Sequence, residues 1–172
     1  MAIFLQILGY TLPSVVLAIV VFFMMKRHTK NEEIRLNYLL RKETAKTLTP
    51  VKLRAYERMA LFLERMKPES LLMRQELKNV SSAQLQRGLN EQIRKEWEHN
   101  LSQQLYLSRD AWVMLYNAKE NMIQLVNTSA MQMPPTAPAL SLATAILETY
   151  KNFEKTPIDA AIDILKRDIA NI

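Results

Sequence analysis

Glu96 and His99 have the only metal-like spacing in the chain. A carboxylate and an imidazole three residues apart share one side of a helix, and di-iron bundles use two such pairs with two further glutamates. Here the second pair is missing. Glu57, Glu64 and Glu120 could add carboxylates, but the only other histidine is His28. Two histidines this far apart make no Ser-His-Asp arrangement. The absence of cysteine removes disulfides, thiol chemistry and cysteine zinc sites. Gly9 and Gly88 are the only glycines, too few for a phosphate-cradling loop or a dinucleotide fingerprint. The expectation is therefore no catalytic residue, no metal and no cofactor. A membrane-tethered enzyme with a carboxylate and imidazole site near His99 is the alternative.

Binding is the other chemistry the residue types offer. Trp97, His99, Gln103 and Tyr106 mix aromatics and amides within one short stretch, and Met131 and Met133 flank a proline-rich loop. Aromatic anchors with adaptable amides and methionines suit a partner-contact patch. The competing expectation is that the aromatics are core and the amides solvated.

The elements that must position these residues read as helices throughout. Ile3–Met25 is 23 residues without a formal charge. As a helix it reaches roughly 34 Å, enough for a hydrocarbon core of about 30 Å. Gln6, Gly9, Pro13, Ser14 and Ala18 are the positions expected to pack against another span, with a bend near Gly9 where Pro13 removes a hydrogen bond. No basic n-region precedes the run and no small-residue cleavage site follows it, so an uncleaved anchor is expected rather than a signal peptide. Lys26, Arg27 and Lys30 are expected at the lipid head groups. Lys and Arg lie only on the C-terminal side, which places the N-terminus outside and the rest in the cytosol.

Residues 26–47 hold seven Lys/Arg against three acids, most of the net charge of +6. The excess sits beside the apolar run, so a nucleic-acid face on the remainder is not expected. Ile34, Tyr38, Ala45 and Leu48 fall at heptad-like spacing, interrupted by Arg41. The segment reads as a basic helix or linker, either self-associating or lying on head groups.

Thr49-Pro50 reads as a helix start, a capping hydroxyl followed by proline at N1, with the helix running to about Met66. Pro68 ends it and opens a short helix through Leu71, Leu72 and Leu77. Ser81 and Gln84 form a capping box, with Val80 and Leu85 as a staple. Leu85, Leu89, Ile93, Trp97, Leu101 and Leu105 then recur every four residues. Such a stripe rotates about 40° per step and cannot stay on one straight partner. Ser108 restarts the pattern, either as a new helix to Met131 or as a bend in one long helix. Residues 133–138 form a loop, Ser141 is expected to cap the next helix, and Thr156-Pro157 opens the last, with Ile158, Ala161, Ile162, Leu165, Ile169 and Ile172 on one face.

Two stretches carry a family resemblance: Leu53-Arg54-Ala55-Tyr56-Glu57-Arg58-Met59-Ala60-Leu61-Phe62-Leu63-Glu64-Arg65, and Glu98-His99-Asn100-Leu101-Ser102-Gln103-Gln104-Leu105-Tyr106. With the N-terminal run, the chain resembles an uncharacterised family of small bacterial single-pass membrane proteins. The resemblance implies an anchored bacterial protein and assigns no functional residue.

The sequence-based expectation is an all-α chain: a transmembrane anchor over residues 1–25, a juxtamembrane helix or linker over 26–48, and a cytosolic bundle of about four to six helices over 49–172. Its expected role is a non-catalytic subunit or scaffold of a bacterial inner-membrane assembly. Its partners would be the lipid bilayer and other membrane subunits or copies of itself, with no nucleic acid and no small-molecule substrate. A membrane adaptor for a soluble client is a further alternative.

Overall fold

The computed structural model describes residues 1–171; the side chains of residues 2–14, 18, 28, 29 and 31, and the whole of residue 172, lie outside the described residues. Among the described residues six α-helices are present: α1 (Ala2–Met66), α2 (Pro68–Leu72), α3 (Ser82–Asn100), α4 (Arg109–Met131), α5 (Ala139–Lys151) and α6 (Pro157–Ile169). A 3₁₀ turn, Leu101–Tyr106, separates α3 from α4. No strand occurs among the described residues, where extended pairing is limited to an isolated bridge between Ser81 and Pro138.

The chain divides into two compact units, Met1–Leu48 and Thr49–Ile172. The first is helical from Ala2 onward. Its described apolar side chains between Val15 and Met25 are exposed. Among the described residues no helix is long and apolar enough to cross a membrane. The positions expected to pack within a span, Gln6, Gly9, Pro13, Ser14 and Ala18, lie outside the described residues, as does the bend expected near Gly9.

Thr49-Pro50 does not start a helix. α1 passes through Pro50 without a break. A proline inside a helix forfeits the bond to the carbonyl four residues back, here Lys46, and costs about 3 kcal/mol. The turns that follow are held by tertiary burial: Ala55, Tyr56, Met59, Phe62, Leu63 and Met66 are all in the core. Burying each large apolar side chain contributes about 1.5–3 kcal/mol, enough to outweigh the lost bond.

Within the second unit α4 packs on α3, α5 and α6, and α3 also packs on α5. The capping box at Ser81 forms in full: Gln84 N donates to Ser81 Oγ at 3.3 Å and Ser81 N donates to Gln84 Oε1 at 2.9 Å. Thr156 accepts from Asp159 N at 3.0 Å and opens α6. Ser141 is not a cap, because α5 begins two residues earlier, at Ala139. There Ala139 N donates to Val80 O at 2.9 Å, so the loop is tied to the start of α3 before the helix begins.

The stripe of α3 behaves as its spacing demands. Leu85, Leu89, Ile93 and Trp97 are buried, and the next two members, Leu101 and Leu105, turn outward on the 3₁₀ turn. Leu89 is 1% exposed and Leu105 82%. Leu89→Ala is expected to cost about 2–5 kcal/mol by urea unfolding. Leu105→Ala should change stability by no more than about 0.5 kcal/mol. Equal losses would place Leu105 in the core.

Candidate interaction site on the helical unit

The expected patch does not form one surface. Trp97 is core: its ring centroid lies 4.5 Å from Trp112, 5.6 Å from Phe62 and 6.0 Å from Tyr116. Gln103 is also buried, its amide donating to Ser102 Oγ at 3.2 Å. Tyr106 is half-buried, His99 and Met131 are exposed, and Met133 packs partly against the core. Met131 lies fifteen residues beyond Tyr116 on α4, about 22 Å along the axis, so the methionines sit at the other end of the helix from Trp97. The aromatics are recruited inward because α3 and α4 cross at Trp97 and Trp112, where large rings fill the space.

Lys119 was not foreseen there. It is buried, with its Nζ 4.3 Å from the Tyr116 centroid and 5.2 Å from that of Trp97. Glu120 Oε1 lies 2.6 Å away. The ammonium is thus balanced by a carboxylate and two ring faces, the arrangement that lets a charge remain inside. The hydrogen bond from Lys119 holds the Glu120 carboxyl below its ordinary pKa.

His99 opens onto a groove of about 650 Å³ lined also by Arg65, Arg74, Gln75, Glu91 and Glu96. Its floor is a polar lattice centred on Arg74. The guanidinium donates Nε–H to Ser70 O at 2.9 Å, Nη1–H to Glu96 Oε1 at 3.1 Å, and Nη2–H to Arg65 O. The last bond satisfies a carbonyl in the final turn of α1, which the helix itself leaves unpaired. Arg65 Nη1 donates to the other Glu96 oxygen at 3.4 Å. The amides of Gln75 and Gln92 meet at 2.5 Å, and a Cβ at position 88 would lie 2.8 Å from Gln75 Oε1, so Gly88 is the residue that lets this side chain lie on α3.

Glu96 is therefore committed to two arginines. Among the described residues no group of three or more His, Cys, Asp or Glu comes together. Glu64 pairs with Lys67 at 2.8 Å, and Glu120 with Lys119. The described part of the groove can present guanidinium, amide and imidazole groups to a polar partner.

A second polar cluster joins elements far apart in sequence. Tyr56 Oη donates to Asp168 Oδ2 at 3.1 Å and accepts from Ser108 N at 3.3 Å. Ser108 Oγ donates to the same Asp168 oxygen and accepts from Ala111 N at 3.0 Å. Ser108 is the N-cap of α4, so one residue both starts α4 and ties it to α1 and α6. The serine hydroxyl is spent on holding Asp168 and capping α4, and the cluster reads as a clasp. Sequence spacing marked Ser108 as the place where the helical pattern restarts but carried no signal for Tyr56 or Asp168.

Residues 2–172 match one family pattern, which takes in the apolar N-terminal run as well as the bundle. The chain belongs to DUF7935, a family of unknown function. No curated protein and no solved structure matches it. DUF7935 membership covers the chain but assigns no activity to the groove or the clasp. The bacterial source and membrane location implied by the resemblance belong to the proposal below.

Arg74→Ala should destabilise this DUF7935 member by about 0.5–1 kcal/mol, since it removes exposed bonds to the Arg65 and Ser70 carbonyls and strips Glu96 of one partner. Urea unfolding measures this, and an unchanged midpoint would show that the lattice is solvated rather than structural.

The clasp gives a pH dependence. Burial, chiefly, and then Asp168 raise the Tyr56 pKa above its ordinary value near 10.0. A raised folded pKa means that the neutral phenol is favoured in the native state. Its stabilisation is complete below the unfolded value and is lost as pH rises through the folded one. Tyr150 is raised in the same direction, mainly by burial. Unfolding free energy should therefore fall above about pH 10, and Tyr56→Phe should flatten that fall. A slope unchanged by the substitution would remove Tyr56 from the titration.

Proposed function

We propose that this chain is a membrane-anchored, non-catalytic subunit or scaffold of a bacterial inner-membrane assembly. Residues 3–25 would lie in the bilayer, with Gln6, Gly9, Pro13, Ser14 and Ala18 facing neighbouring spans and Lys26, Arg27 and Lys30 at the head groups. Thr49–Ile172 would be the cytosolic unit that meets partner subunits.

One observation carries this reading. Between Val15 and Met25, ten apolar side chains of α1 are 46–68% exposed, on every side of the helix. A helix apolar all round is suited to a bilayer or to the interior of a larger assembly. The described run alone reaches about 16 Å, so the spanning role depends on Ile3–Ser14 as well. The adjoining basic residues support the orientation, each contributing about 1 kcal/mol beside anionic lipid.

The test is extraction and topology in a bacterial host. The full chain should remain with membranes after alkaline carbonate, and a chain lacking residues 1–25 should be released. Protease outside intact spheroplasts should leave residues 49–172 uncut. Release of the full chain by carbonate would defeat the anchor, and external digestion of residues 49–172 would reverse the orientation.

A further inference from the structure

The segment after the apolar run has a surface pattern that a membrane clamp does not explain. Ile34, Leu36, Tyr38, Leu39, Leu40 and Leu48 of α1 are 45–65% exposed. Soluble surfaces seldom leave so many large apolar side chains together without a partner. At about 100° per residue five of them fall into two stripes, and Leu39 lies between the stripes beside Lys46. Ile34, Tyr38, Ala45 and Leu48 form the first. Leu36, Leu40 and Thr47 form the second, more than about 120° around the helix. The charges are sorted between them. Arg35, Lys42 and Lys46 line one flank of the first stripe, and Lys30 lies at its other edge beside Leu48, where Arg41 interrupts the stripe. Glu32 and Glu43 line one flank of the second stripe, and Glu33 lines its other flank. Lys46 Nζ lies 3.3 Å from Glu43 of its own helix, an exposed pair that can exchange partners.

We propose that this segment is the contact surface for a second copy of the chain, packed parallel and in register. The Ile34–Tyr38–Ala45–Leu48 stripe of one copy lies against the Leu36–Leu40–Thr47 stripe of the next. In that arrangement the flank bearing Arg35, Lys42 and Lys46 faces the neighbour's Glu32 and Glu43. Lys30, on the opposite flank, faces its Glu33. Each acid then has a basic residue within three positions, about 5 Å along the axis. Reversing one helix exchanges the flanks and sets three basic residues against one glutamate. Pairing the first stripe with itself sets basic residues against basic residues. Apolar burial drives the contact, and the charges choose its direction and register.

The two stripes differ, so the interface is heterologous: each copy keeps one face open for the next, and association continues past two copies until a ring closes. An anionic lipid surface would cover only the basic-flanked stripe and leave Leu36 and Leu40 in water, which favours a second copy. The inference rests on the assembly-subunit reading above but not on the bilayer anchor.

The chain has no cysteine, so single cysteines report contacts cleanly. Full-length Tyr38→Cys and Leu40→Cys are purified in mild detergent, mixed and oxidised. The disulfide between the two variants should exceed either self-crosslink by about ten-fold, because only unlike faces meet at high effective concentration. Ala45→Cys with Thr47→Cys should behave alike. Arg35→Glu with Lys42→Glu should dissociate the protein, as should Glu32→Lys with Glu43→Lys, and mixing the two charge variants should restore association. A dominant Tyr38→Cys self-crosslink would overturn the proposal in favour of two-fold pairing. A monomer at every concentration would overturn it, as would a fluorophore at residue 38 that enters the apolar phase of anionic vesicles without any crosslink. Carbonate extraction stands apart: release of a chain that still crosslinks defeats only the anchor, and retention of one that does not defeats only this contact.

Discussion

A stripe that repeats every four residues on a helix of 3.6 per turn drifts steadily away from its partner. That mismatch governs the helical unit. α3 can keep four members of its stripe inside, Leu85, Leu89, Ile93 and Trp97, before the fifth would face solvent. The helix ends at Asn100, where the stripe leaves the core. The 3₁₀ turn lets Leu101 and Leu105 face outward, and Ser108 then starts α4 in a direction that returns Trp112 to Trp97. The aromatic crossing is thus a consequence of where the stripe runs out. Lys119 occupies the same crossing with its charge met by Glu120 and two rings.

Polar groups close the helix ends, and several of these closures also fix a long-range contact. Ser108 caps α4 and binds Asp168 of α6, which in turn holds Tyr56 of α1. Arg74 takes a carbonyl from the last turn of α1 and the carboxylate of Glu96 on α3. Ser82 N donates to Ala137 O and Ala139 N to Val80 O, so the start of α3 and the start of α5 share one loop. Orphan groups at helix ends must find partners somewhere, and at these three places they find them on other elements.

Features satisfied within a few residues were legible in the sequence. Ser81 with Gln84, and Thr156 with Asp159, complete their caps within three positions, so type and spacing suffice. The rise and loss of burial along α3 followed from periodicity alone. Features decided by tertiary contact were not legible. Threonine followed by proline reads the same at a helix start and inside a helix, and only the burial of Ala55 to Met66 distinguishes them at Pro50. Ser141 looks like a cap until Val80 accepts from Ala139 and moves the start of α5 forward. Glu96 and His99 were visible as a pair, but Arg65 and Arg74, which claim Glu96, sit far away in sequence.

The charge of residues 26–48 shows how composition and arrangement differ. A net excess of basic residues suggests an anionic partner of some kind, lipid or nucleic acid. Position on the helix changes the inference, because the acids are few but all lie on the half away from most of the basic residues. Random placement would give mutual screening along every face, and a purely solvated linker has no need for sorting. Sorting matters when two unlike faces must recognise each other, since like charges set opposite one another penalise the wrong register by more than the right pairs stabilise the correct one. The apolar side chains between the charges supply the attraction, and the polarity around the helix supplies the direction. Parallel packing of unlike faces is then the geometry that brings the most apolar surface out of water without crossing like charges.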